Sequence, residues 1–146
     1  MDTDIFLDHL TCKNKSDESL LIKCLKIFDC YTSVVNASEI FAGSNGKSQI
    51  EKAKHSFFGT GVLGIPYKYS YRIGEIIKKI ESGKLNNSYR DAVITAVCLE
   101  TKLPLLTLNE YKYSQLSALF KLKLISKEII IRNNSPEVIF KKAKIL

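Results

Sequence analysis

The chain has 146 residues, 45% hydrophobic and 25% charged, which is the size of one domain with ordinary globular usage and excludes a disordered or fibrous chain. Lysine and arginine outnumber aspartate and glutamate by 22 to 15, and the resulting charge of +7 sets up a surface field that draws polyanions such as nucleic acid. The longest apolar runs, such as Leu103 to Leu106 and Ile129 to Ile131, fall far short of the roughly 20 residues a membrane helix needs, and the acidic start is unlike a signal peptide, so a soluble cytoplasmic protein with no membrane partner is expected.

Glu18 to Phe28 places Leu20, Leu21, Cys24, Leu25 and Phe28 on one face of a predicted helix, with Ser16 and Asp17 as candidate caps. Cys30 to Val35 is short and β-branched and runs into Asn36-Ala37-Ser38-Glu39, which predicts a strand feeding a helix. A helical stretch from Ser38 to Phe58, broken near Gly43 to Gly46, is followed by a strand over Val62 to Ile65. Tyr71 to Ile80 predicts a helix buried through Ile73, Ile76, Ile77 and Ile80 and ended at Ser82-Gly83. Ala92 to Leu99 is apolar almost all round, the mark of a helix packed on both sides. Leu103 to Thr107 reads as a buried strand, Leu122 to Ile131 as one or two more, and the basic tail Lys141 to Lys144 as a solvated helix end. This alternation predicts an α/β fold whose sheet is mostly parallel, with helices on both faces and ligand sites beyond the carboxyl ends of its strands. Cys12, Cys24, Cys30 and Cys98 form no CxxC pair and only His9 and His55 accompany them, so reduced thiols are expected, not a zinc site or a disulfide framework.

Asp2 and Asp4 open the chain, Glu39 follows the first predicted strand, and Asp91 precedes the buried helix. With parallel neighbouring strands, these positions meet at one sheet edge. Carboxylates crowded there repel one another unless a cation holds them, and hard oxygen donors suit Mg²⁺ or Mn²⁺. Each acid taken singly has a plainer role at a helix start: Asn36-x-x-Glu39 and Ser88-x-x-Asp91 both fit a capping box, and Asp2 or Asp4 fits a cap for the first helix. No acid follows the Val62 to Ile65 strand, which argues against a phospho-acceptor domain of the same winding.

Three blocks taken together resemble the PIN-domain nucleases, and among them the VapC-type toxins of toxin–antitoxin pairs. Asp2-Thr3-Asp4-Ile5-Phe6-Leu7 is similar to the family's opening block. Val34 to Gly43, with Ala37-Ser38-Glu39-Ile40, is similar to its second. Asp91-Ala92-Val93-Ile94-Thr95-Ala96 with Leu103-Pro104-Leu105-Leu106-Thr107-Leu108-Asn109 is similar to its third. The resemblance spans about residues 1 to 120 of a single domain, 121 to 146 being a C-terminal strand and helix extension. It implies a three-layer PIN-like fold and a Mg²⁺- or Mn²⁺-dependent ribonuclease. Asp2, Glu39 and Asp91 would be the catalytic metal ligands, with Asn109 at the fourth corner and Thr3, Asp4 and Thr107 in support. It also implies a homodimer and a cognate antitoxin protein that blocks the acidic pocket.

Two departures stand out. The family often places a further acid where this chain has Lys112, with Glu110 displaced nearby in a supporting place. The apolar strand that precedes the family's first Asp is represented by Met1 alone, from which a late start of the sequence is expected. Arg72, Arg90 and Lys112 are the candidate RNA-steering cations. The alternative function is a catalytically degenerate PIN-like module that binds RNA or a protein partner.

Overall fold

The structure, a computed structural model, describes residues 1–12 and 18–145. Helix α1 (Thr3–Thr11) starts at Asp2, whose Oδ1 accepts from the Thr3 amide at 2.7 Å. Helix α2 (Leu20–Ile27) is capped by Ser19, which accepts from the Ile22 amide at 3.4 Å. The expected caps Ser16 and Asp17 lie outside the described residues.

Strand β1 (Cys30–Ser33) ends two residues earlier than its β-branched run suggests, because Ser33 caps helix α3 (Val34–Ala42) and draws Val34 and Val35 into the first turn. Ser33 Oγ accepts from the Asn36 amide at 3.3 Å and Asn36 Oδ1 accepts from the Ser33 amide at 3.3 Å. This capping box sits one turn ahead of the expected one. Asn36 is therefore its third helical residue, not its cap, and Glu39 is released from any capping duty. The break after Gly43 separates α3 from α4 (Gly46–Ser56), as the glycine spacing predicts. Gly46 takes a positive φ of 75°, a conformation that costs other residues strain.

Strand β2 (Thr60–Leu63) pairs parallel to β1, Cys30 opposite Thr60 and Ser33 opposite Leu63. A 3-10 turn at Tyr67–Tyr69 leads into α5 (Ser70–Ser82), which packs along α6 (Tyr89–Thr101) through Ile73, Ile76 and Ile80. Strand β3 (Leu105–Leu106), α7 (Glu110–Phe120), β4 (Leu124–Ile125), α8 (Lys127–Ile131) and α9 (Pro136–Lys142) complete the order. The run at Ile129–Ile131, expected as strand, is helical: Ser126 accepts from the Ile129 amide at 3.4 Å and starts α8 there.

The fold is mixed α/β with parallel strands, as expected. The single central sheet is not found among the described residues, where β1–β2 and β3–β4 form two separate two-stranded sheets. Among the described residues, Met1 and Asp2 link them. The Met1 ammonium donates to Tyr31 O at 2.6 Å and the Asp2 amide to Leu106 O at 2.9 Å, so the two sheets are bridged by two residues and not by a strand. A cavity of about 130 Å³ lies in the interval, lined among others by Met1, Cys24, Tyr31, Ile94 and Leu105. Alternation along β3 sends Leu105 into a cluster with α5 and α6 and Leu106 into one with Ile5, Phe6, Leu21 and Ile130. The bridge holds Asp2 at the carboxyl end of β3, and Ser33 starts α3 from the carboxyl end of β1.

Candidate active site

Three helices converge. Asp2 at the head of α1, Glu39 in the second turn of α3 and Asp91 in the first turn of α6 all pair with one side chain, the guanidinium of Arg90. Its Nε donates to Glu39 Oε1 and its Nη2 to Asp2 Oδ1. Nη2 also donates to Thr3 Oγ1 at 3.0 Å, and Nη1 to Asp91 Oδ1 and to the Tyr113 hydroxyl, both at 3.1 Å. Asp2 and Asp91 are buried, Asp91 completely, while the Glu39 side chain is 34% exposed.

Each acid has a second set of contacts that aims it. Asn36 Nδ2 donates to Asp2 Oδ1 and to Thr3 Oγ1, each at 3.0 Å, and Thr3 Oγ1 donates to Glu39 Oε2. The capping box at Ser88 is present as expected: Asp91 Oδ2 accepts from the Ser88 amide at 2.8 Å and from its hydroxyl at 3.1 Å. Asp91 is thus a cap residue through one oxygen and a member of the acid cluster through the other. Lys112 Nζ lies 2.8 Å from Asp91 Oδ1, and the Tyr113 hydroxyl donates to the same oxygen at 3.3 Å.

The electrostatics follow from these contacts. Burial pushes the Asp91 pKa up, but hydrogen bonds from Lys112 and Ser88 outweigh it, and the carboxyl is held below the usual aspartate range. For Arg90, burial works against the charge while bonding to Glu39 and the field of Asp2 raise the pKa further above its ordinary value. Burial, then the charge of Asp2, raises the Tyr113 phenol. It is a neutral donor.

Asp4 stands beside the cluster. Its Oδ2 accepts from Thr107 Oγ1 at 2.7 Å and from the Leu108 amide at 2.8 Å, while its buried Oδ1 has no partner among the described residues. Burial, with the charge of Asp2 added, raises its pKa despite those bonds. Thr107 Oγ1 also reaches Asp2 Oδ2 at 3.4 Å, so it ties the two aspartates together. Asn109 donates its amide to Thr107 Oγ1 at 3.1 Å and turns its own Oδ1 to the Lys112 amide at 3.2 Å, capping α7. Its side chain serves the helix, not the acids. Glu110 is exposed in the first turn of α7, where burial and the charge of Glu128 raise its pKa. Arg72 pairs with Glu75 at 2.8 Å and with Glu100 at 3.3 Å, and Glu100 lies about 15 Å along α6 from Arg90 at 1.5 Å per residue.

Sequence reasoning missed Asn36 and Tyr113. Tyr113 had a signal: it lies on the core-facing side of α7, where a buried phenol needs a polar partner for its hydroxyl. Asn36 was read only as a cap. No family model matches the chain, and no curated protein matches it.

Proposed function

We propose that this chain is a divalent-metal-dependent endoribonuclease of the PIN type, the toxin of a toxin–antitoxin pair. The observation that carries the reading is the meeting of Asp2, Glu39 and Asp91, from three segments up to 89 positions apart in sequence, around one cationic centre. Helix caps alone would satisfy their donors without bringing three carboxylates together. Bringing like charges together costs folding free energy, and a site for a cation is what such an arrangement offers in return.

The donors fit Mg²⁺ or Mn²⁺ in kind, since all three are carboxylate oxygens held on or at the head of a helix, and the buried Oδ1 of Asp4, partnerless among the described residues, adds a fourth acid close by. Their positions, however, are closed on the guanidinium, and among the described residues no three His, Cys, Asp or Glu side chains are set to ligate a metal. Asp2, Glu39 and Asp91 would hold the ion, and bound there it would polarise a phosphoryl oxygen and lower the pKa of a coordinated water. The chain's own residues do the positioning. Asn36 and Thr3 fix Asp2 against Glu39, Ser88 fixes Asp91, and Arg90 and Lys112 supply positive charge beside the place where a phosphodiester would lie. Homodimer formation and a cognate antitoxin that covers the acids belong to the same reading.

The test is cleavage of structured RNA by the purified protein with Mn²⁺. Glu39→Gln is the variant of choice because this side chain is the most exposed of the three, so its loss perturbs folding least. Its expected rate falls by at least about a hundredfold, the upper end of what losing even an outer ligand contact costs. A Glu39→Gln protein that cleaves like the parent removes the hydrolytic reading.

A second reading is favoured by Arg90 and Lys112. If both cations are permanent partners of the acids, the cluster is structural and the protein is a PIN-like module that binds RNA or a protein without cleaving. Calorimetric titration with Mn²⁺ separates the two, since a binding-only module gives no heat of metal binding.

A further inference from the structure

Arg90 occupies an unusual place for its charge. It lies in the first turn of α6, at the helix end where the backbone dipole disfavours a cation. Its five N–H donors meet five oxygen acceptors, from Glu39, Asp2, Thr3, Asp91 and Tyr113. Saturation of that kind belongs to a group that holds the acids together, not to one lying ready at the surface. Yet the side chain remains 22% exposed, so a path to solvent stays open along a flexible stem. Its neighbour Lys112 is 34% exposed and pairs with Asp91.

Occupancy decides what the centre accepts. Arg90 bonds one oxygen of each of Asp2, Glu39 and Asp91, while the other oxygen accepts from Thr107, Thr3 and Ser88 in turn. A divalent ion ligated by these carboxylates meets the guanidinium at the same oxygens and repels its charge. Exchange is therefore favoured over addition.

We infer that Arg90 is an exchangeable internal counter-ion, which closes Asp2, Glu39 and Asp91 on itself in the metal-free protein and swings out when a divalent cation takes its place. This rests on the metal-dependent reading above. The chain then carries its own competitor for the metal. Affinity for the ion is lowered by the fraction of molecules in which the guanidinium is seated. The displaced guanidinium is left at the mouth of the site, where a phosphate can use its forked donors.

The experiment reads metal binding and the arginine itself, not activity. In ¹H–¹⁵N spectra of the parent chain, the Arg90 Nε–H signal is expected to be protected and shifted without metal, and to move to the position of a solvated arginine as Mg²⁺ is added. In calorimetry, Arg90→Gln is expected to bind Mn²⁺ about tenfold more tightly than the parent, with Arg90→Lys between them because one ammonium cannot span three carboxylates. If the parent binds Mg²⁺ while the Arg90 signal stays in place, the exchange is overturned and the metal reading stands. Equal affinities in parent and Arg90→Gln overturn it in the same way. If neither parent nor variants bind either ion, the metal reading fails and the exchange falls with it. The spectral arm uses only the parent chain, so a failure of Arg90→Gln to fold leaves the test intact.

Discussion

Asp91 and Asp4 are two aspartates at one site, and their environments drive them in opposite directions. Asp91 is fully buried, but its two oxygens receive Ser88, Arg90, Lys112 and Tyr113, and its pKa is lowered. Asp4 receives Thr107 and Leu108 on one oxygen and, among the described residues, nothing on the other, and its pKa is raised. Burial pushes both carboxyls up. At Asp91 the donors outweigh it, with Lys112 first among them, and at Asp4 they do not, because each bond to the ionised form offsets only part of the lost hydration.

The largest test of that contrast is Asp91→Asn. The amide keeps the shape but leaves Arg90 and Lys112 facing a neutral group, and breaking a buried ion pair from one side costs about 3–5 kcal/mol. Denaturant unfolding at neutral pH is expected to show a loss of that order. A loss below about 1 kcal/mol breaks the comparison, because it means the donors do not hold the charge. The pH dependence has a definite sign. With its folded pKa depressed, Asp91 contributes stability that is present above its unfolded value of 3.8 and lost as pH falls through the lower folded value. The advantage of parent over variant should therefore shrink only below about pH 4.

Asp4→Asn is expected to run the other way and to be smaller. The folded pKa of Asp4 is raised, so its contribution is fully present below 3.8 and lost as pH rises through the folded value. Asparagine avoids burying that charge and keeps one oxygen for Thr107 or Leu108. The variant should gain on the parent as pH rises from about 4 to neutrality, by less than about 1 kcal/mol, reading the change as one of ordinary hydrogen-bond size. Melting temperatures of both chains at pH 4 and pH 7 check it, and a variant that loses ground over that range contradicts the raised value.

These side-chain relations were legible in the sequence only where they are local. Ser88-x-x-Asp91 announces its capping box because both partners are three residues apart, and the apolar surround of Ala92 to Leu99 follows from periodicity alone. Asn36-x-x-Glu39 has the same appearance, but Ser33 takes the cap, since a serine hydroxyl at the strand's end reaches the Asn36 amide first. That competition is decided by backbone direction, which the letters do not carry. Arg90 read as an RNA-steering cation because composition reports charge and not where a side chain turns. The strands suffered for a different reason: β3 and β4 have two residues each, too few for alternation to show, and the isoleucine run at Ile129–Ile131 fits strand and helix alike until Ser126 starts a helix.

The same rule of donors against burial extends to a different acid. Cys24 is 1% exposed, and burial, helped by Cys30, pushes its thiol up to about 12. Cys30 is raised as well, again mainly by burial. Like the open oxygen of Asp4, and unlike Asp91, these thiols gain too little from nearby positive charge to repay the lost hydration. At pH 8 the thiolate fraction of Cys24 in the folded chain should fall about a thousandfold below that of a thiol at the ordinary value of 9.0. Modification by a disulfide reagent, located by peptide mass, is expected to spare Cys24 until denaturant is added. Labelling of Cys24 in the native chain at the rate of a small thiol means that its cover opens readily, and the contrast between buried acids with and without donors then has to be drawn from the two aspartates alone.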